Sequence, residues 1–230
     1  MTDKYFVLMN DWHNDYQKKF YSGVLDTVCG NHLPINGSKF SFPYDVELIK
    51  DDTVYWNFDK YEELFFDYRF DRGHILSHRL VSILNDFSLS PHYKKNLSVW
   101  MQGKQALNDY LYMSFKRGTW NEGVQLEPDF IFYDRDKSSF KLNHRGGIVP
   151  TGNISLTDNA NRYDVFELLD TTCLSGFLVI NEKVKLRLES EKMKIKGMKI
   201  VPINMAFKTY CADYNVSVDR LLPKVKKKIP

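Results

Sequence analysis

Short alternating or continuous apolar runs recur along this chain between stretches of polar punctuation, and they predict an α+β fold. Lys4 to Met9 reads as a strand. Asn10 to Pro43 carries Gly23, Gly30, Pro34 and Gly37 among polar residues and reads as a long loop with isolated turns. Val46 to Ile49 and Thr53 to Phe58 read as short strands, divided by a turn at Lys50, Asp51 and Asp52. Leu80, Val81, Leu84 and Phe87 recur at three- and four-residue spacing, which predicts a helix over Ser77 to Phe87 with Ser77 as its N-cap and Pro91 barring continuation. Leu97 to Met101 and Asp109 to Phe115 read as strands. In the second, Tyr110 and Tyr112 alternate with Leu111, Met113 and Phe115, so both faces can be covered or one can lie at an edge. Phe130 to Tyr133 is a further strand candidate, and Asn143 to Asn153 reads as punctuation.

The last third has the clearest order. Tyr163 to Leu168 and Phe177 to Ile180 read as strands. Asn181 can cap a helix starting near Glu182, with Val184, Leu188 and Met193 as its apolar stripe. Gly197 suits the left-handed position that ends a helix, and Met198 to Pro202 follows as a strand. The expected architecture is a mixed or antiparallel sheet with a few packed helices. It forms one domain over residues 1–221, with 1–43 as a peripheral, loop-rich lobe and 222–230 as a basic tail.

Composition narrows the function classes. Hydrophobic residues make up 43% and charged residues 27%, which suits a folded globular chain and not a disordered one. The 16 Phe, 14 Tyr and 4 Trp favour sheet. No apolar run is long enough for a secretory core or a membrane span. Three widely spaced cysteines, Cys29, Cys173 and Cys211, indicate neither a disulfide framework nor a zinc knuckle, and a reducing cytoplasm is the expected location. The net charge of +3 conceals an asymmetry. Asp45 to Asp71 holds nine acids against three bases, whereas Lys183 to the end holds thirteen bases against four acids.

Candidate chemistry is sparse. His74 and His78 are four apart, but the metalloprotease pattern needs a Glu after the first His, and Ile75 stands there. Cys29 and His32 have no spacing that implies a nucleophile pair. Gly-x-Ser-x-Gly, Walker and dinucleotide patterns are missing, and Gly146-Gly147 reads as a turn. The cluster Lys224 to Lys228 is one short patch in a chain with 29 acids against 32 bases, so nucleic acid is not the expected partner. No catalytic residue, metal or cofactor is expected.

Four stretches carry a family likeness. They are Ile75 to Leu84, Asp109 to Met113, Tyr163 to Leu168, and Phe177 to Lys185 continuing to Lys196-Gly197-Met198-Lys199-Ile200-Val201-Pro202. These resemble bacterial polymorphic-toxin immunity proteins, the group catalogued as immunity protein 43 or 11. In that family a strand, a helix and a Lys/Thr-Gly-x-x-Phe/Ile-x-Pro ending recur in this order. The likeness spans roughly Val46 to Pro202 and does not extend to the first forty residues. Asn181 replaces the usual Ser before the last helix, an acceptable exchange of caps.

The resemblance implies a cytoplasmic protein that binds and silences a cognate toxin C-terminal domain. Such binding needs a complementary surface and no active site. Many toxin domains of this kind carry basic clefts, which an acidic inhibitor surface would attract. The expected contact is therefore the acidic, aromatic stretch Asp51 to Asp71. Its charges are Asp52, Asp59, Glu62, Glu63, Asp67 and Asp71, and its anchors are Tyr55, Trp56, Tyr61 and Tyr68. The alternative is an ordinary edge strand and helix with a solvated acidic face. Two other functions remain open: an enzyme reversing toxin damage, with His74, His78, Cys29 and Glu62 as its first candidates, and a nucleic-acid-binding accessory protein.

Overall fold

The computed structural model describes residues 4–11, 21–30, 40–116, 127–192 and 194–222. Twelve strands and four helices are described, in the order β1 (Tyr5–Asn10), β2 (Val24–Asp26), β3 (Thr53–Phe58), β4 (Tyr68–Phe70), β5 (His74–Ser77), α1 (His78–Leu84), β6 (His92–Met101), β7 (Lys104–Phe115), β8 (Phe140–Leu142), β9 (Ile148–Pro150), β10 (Val165–Leu168), β11 (Phe177–Asn181), α2 (Glu182–Glu189), β12 (Met198–Pro202), α3 (Ile203–Asp213) and α4 (Val218–Leu221). This is an α+β fold. Its four-stranded sheet runs β10-β11-β1-β12, all antiparallel. Its six-stranded sheet runs β2-β3-β6-β7-β5-β4 and is mixed, because β3 and β6 are parallel. β8 and β9 form a separate hairpin.

The two-residue period of a strand explains the layering. In the four-stranded sheet, Val7, Met9, Phe177 and Val179 enter one apolar core with α3, while Phe6, Leu8, Leu178 and Ile180 enter another with α1 and α2. Both faces are buried, so β1 and β11 read as unbroken apolar runs. β7 divides its side chains likewise. Met113 and Phe115 join the core shared with the four-stranded sheet, and Tyr110 and Tyr112 join a third core with Trp56, Phe58 and Phe66. Each tyrosine hydroxyl donates to a backbone carbonyl, Tyr110 to Leu64 at 3.3 Å and Tyr112 to Arg72 at 2.5 Å, which makes burial tolerable.

A polar contact crosses the shared middle layer. His74 on β5 and Glu167 on β10 are both fully buried, and Nε2 lies 2.6 Å from Oε1. Tyr68 Oη lies 3.2 Å from the other ring nitrogen. Nearby, the Asn10 side chain acts as an extra strand. It donates to Phe70 C=O at 3.0 Å and accepts from Phe70 N–H at 2.8 Å, which joins β1 to β4.

Local chemistry sets several boundaries. Ser77 Oγ accepts from Leu80 N–H at 3.2 Å and donates to Asp67 Oδ1 at 2.7 Å. The helix it caps ends at Leu84, earlier than the expected Phe87. Asn181 Oδ1 caps α2 through Val184 N–H at 3.2 Å. Gly197 does not end that helix, which stops at Glu189 with Ser190 as C-cap. Gly197 instead takes φ +88° at the entry to β12, and Met193 lies outside the described residues. β6 and β7 are longer than expected because Gln102 and Gly103 both take positive φ, the two-residue turn that matches strand twist.

Four further expectations are corrected. Residues 46–48 form a 3-10 turn instead of a strand, and Val46 and Ile49, three apart, are the buried pair. Pro128 starts another such turn, so the 130–133 run contributes only a single bridge, between Tyr133 and Leu156. The 143–153 punctuation contains β9. The stretch 1–43 is not simply peripheral: β1 lies inside the four-stranded sheet and β2 pairs with β3. The expected tail lies outside the described residues from 223 onward.

Removing one partner of a buried polar pair such as His74 and Glu167 leaves the other unsatisfied, whereas an apolar replacement of both need not. Glu167→Ala should lower unfolding stability by about 3–5 kcal/mol. The double change His74→Phe with Glu167→Leu should cost much less. Urea denaturation of the three proteins measures both effects, and equal losses would show that the pair does not hold the layer together.

Candidate functional site

The acidic stretch does not present its residues uniformly. β3 is interior to the six-stranded sheet, flanked by β2 and β6, so it is not an edge strand. Its alternation sends Trp56 into the third core, against Tyr21 and Phe58, and leaves Tyr55 on the opposite face beside Trp100. Residues 61–66 form no helix. They run extended, with Glu62, Leu64 and Phe66 buried and Tyr61, Glu63 and Phe65 outside. Tyr61 is 69% exposed and Phe65 50%, unusually high for large aromatics. Beneath them the base is firm: Phe66 packs on Tyr110 at 4.9 Å, and Tyr21 Oη donates to Glu63 C=O at 3.4 Å.

The candidate residues therefore separate. Asp52, Asp59, Tyr61 and Glu63 are exposed, and Tyr55 is half-buried. Trp56, Glu62 and Tyr68 are buried, which corrects their expected place on a contact surface. Glu62 meets Lys60 at 3.6 Å, and Tyr68 meets His74. Asp67 is occupied by the fold, accepting from Ser77 Oγ and from Lys196 N–H at 2.8 Å. Asp71 is partly enclosed, and burial raises its carboxyl pKa against the opposing pull of Arg69 and Arg72. The bases in this stretch matter too. Arg69 is buried with its guanidinium over the Tyr21 ring at 4.3 Å, and its charge acts on Asp71. Phe65 is an exposed aromatic that the sequence reading passed over. Its signal was the in-out period of residues 61–66.

The residues first inspected for enzymatic chemistry do not converge. His74 is enclosed between the sheets and His78 is exposed at the start of α1. Glu62 is tied to Lys60, and Cys29 follows β2. His32 lies outside the described residues. Among the described residues, no cluster of three or more His, Cys, Asp or Glu is arranged to hold a metal ion. Cys173 and Cys211 are half-buried, and burial raises both thiol pKa values, which disfavours a reactive thiolate. A shallow hollow of about 340 Å³ lies between β9 and the segment after β10, with Arg135, Asp170, Thr171 and Ser175 in its lining. Burial there pushes the Asp170 carboxyl up to about 6.

A model of the immunity protein 43 family matches residues 6–218. The chain belongs to that family. No curated protein matches it. The match runs from β1 to the start of α4, so it includes residues before Val46 where no motif had stood out. The interior place of β1 gives the physical reason: this immunity-family fold needs Phe6–Asn10 to complete a sheet. No described helix is long and apolar enough to cross a membrane.

Asp170 has a simple pH signature. Its folded pKa of about 6 lies above the ordinary 3.8, so the fold favours the protonated form. That stability is complete below the ordinary value and is lost as pH rises through about 6. Asp170→Asn should therefore stabilise the protein at pH 8 by about 2 kcal/mol and have little effect at pH 3. Thermal melts at the two pH values test this. A destabilised variant at pH 8 would mean that the carboxylate has a partner there.

Proposed function

We propose that this immunity-family protein binds a cognate bacterial toxin domain by direct contact, and keeps it inactive in the cytoplasm of the cell that makes both. The polymorphic-toxin setting and the role in bacterial competition belong to the same proposal. Family membership supports the class of function. The contact is assigned to the ridge of residues 59–65, and one observation carries that assignment. An extended segment turns two aromatics and an acid outward while its alternate residues are fixed in a core.

Binding energy concentrates in a few large side chains that meet the partner already ordered. Tyr61 and Phe65 have the size and exposure for this, and Glu62, Leu64 and Phe66 hold their backbone from below. The acids Asp59 and Glu63 are exposed on the ridge itself, and Asp51 and Asp52 are exposed at the opposite end of β3. They would draw in a basic toxin cleft and speed encounter, an effect that weakens with salt. No bond is made or broken in this reading. The buried members of the stretch, Trp56, Glu62 and Tyr68, act as scaffold.

The test uses a candidate cognate toxin domain, sought in the reading frames next to the gene for this protein. Asp59→Lys, Tyr61→Ala and Glu63→Lys together should weaken its binding by about 100-fold or more while leaving the melting temperature unchanged. Most of the loss from the two charge reversals should appear in the association rate at low salt. Unchanged affinity would move the contact off this ridge, and the lack of any complex between the unaltered proteins would overturn direct contact itself.

A further inference from the structure

The four-stranded sheet ends on β12, whose outer side pairs with no strand among the described residues. The ladder phase decides which backbone groups face outward. Asp11 N–H donates to Gly197 C=O at 3.0 Å, and antiparallel pairing alternates from there. Lys199 and Val201 therefore direct their N–H and C=O groups to β1. Met198 and Ile200 direct theirs away from the sheet, and among the described residues none hydrogen-bonds to them. An open groove of about 530 Å³ is lined by Leu188, Glu189, Lys192, Lys194 and Ile195 together with Met198, Lys199 and Ile200 of β12. Leu188, Ile195 and Met198 give it an apolar wall.

The charges at the groove are unbalanced once existing ion pairs are considered. Glu189 is engaged by Lys185 at 3.7 Å and Glu191 by Arg187. Lys199 is engaged by Asp213 at 2.6 Å, and Asp11 is also not free. Lys192 and Lys194 line the groove, are exposed, and form no ion pair among the described residues. Lys196 adjoins them and is also exposed.

We propose that the β12 edge accepts one extended, acidic segment of a partner polypeptide as a fifth strand. Met198 and Ile200 would supply backbone hydrogen bonds, the apolar wall would receive alternate side chains, and Lys192 and Lys194 would meet carboxylates. A second copy of this chain fits poorly, because edge-to-edge pairing would bring two sets of lysines together. The chain's own end, with Lys224, Lys226, Lys227 and Lys228, is repelled for the same reason. This surface adjoins the acidic stretch through Lys196, whose N–H donates to Asp67 at 2.8 Å, but the proposal does not depend on what the ridge of residues 59–65 binds.

The probe is a blocked peptide of about eight residues alternating Glu and Val, set against the same peptide with Lys for Glu. Fluorescence anisotropy should show the Glu peptide binding at least about tenfold more tightly than the Lys peptide. Lys192→Glu with Lys194→Glu should reverse that preference, and both sites are exposed, so folding should be unaffected. Amide exchange by NMR gives the second readout: the Ile200 and Met198 amides should slow when the Glu peptide is bound. N-methylation of alternate peptide amides should abolish binding in one phase of alternation only. Equal binding of the two peptides, no binding of either, or binding without protection of those two amides would overturn the proposal.

Discussion

One buried polar contact, His74 with Glu167, lies within the apolar layer that the two sheets share. Apart from Tyr68, which meets the same histidine, the layer is made of Phe, Leu, Ile, Val and Met side chains, which attract without direction. Apolar packing alone would tolerate several ways of sliding β5 past β10. A hydrogen bond of 2.6 Å between groups that cannot reach water has a single good geometry, and any slide leaves two polar groups unmet. Asn10 repeats the device at the layer's margin by pairing with both backbone groups of Phe70. The relation between the sheets is thereby fixed, and every surface feature on one sheet is held at a set position relative to the other.

Two surfaces depend on that arrangement, and they have opposite character. The ridge of residues 59–65 stands on the third core, beside the six-stranded sheet, and offers aromatics with acids. The β12 edge belongs to the four-stranded sheet and offers backbone groups with lysines. The acidic and basic segments of the sequence meet where Lys196 N–H donates to Asp67. Each surface is also drawn from a segment anchored on one side only, which is how a protein can be rigid enough to recognise a partner without enclosing it.

Much of the fold was legible because its signals are local. Ser77 and Asn181 cap helices as their side chains require, and the unbroken runs at 5–9 and 177–180 give β1 and β11. Other elements depended on distant partners. β4 and β5 are short, and no local signal marks His74 as a core residue because its partner Glu167 lies 93 positions away. Val46 to Ile49 imitated a strand because an apolar residue at each end fits either period. The α3 stripe of Ile203, Ala206 and Phe207 has helical spacing that was there to be read. For the binding surface, sequence located the stretch but not its sides. Trp56 and Tyr61 are equally aromatic, and only the strand alternation set by neighbours buries one and exposes the other.

The central claim is inhibition by contact and not by chemistry, and stoichiometry separates the two most directly. A toxin domain found to bind this protein, held at a fixed concentration well above the dissociation constant, would be titrated with this protein while toxin activity is followed. Contact predicts a linear fall to zero activity at a fixed molar ratio near equivalence, unchanged by longer incubation. Full suppression at a small fraction of that ratio, or progressive repair of the toxin's product with time, would contradict it.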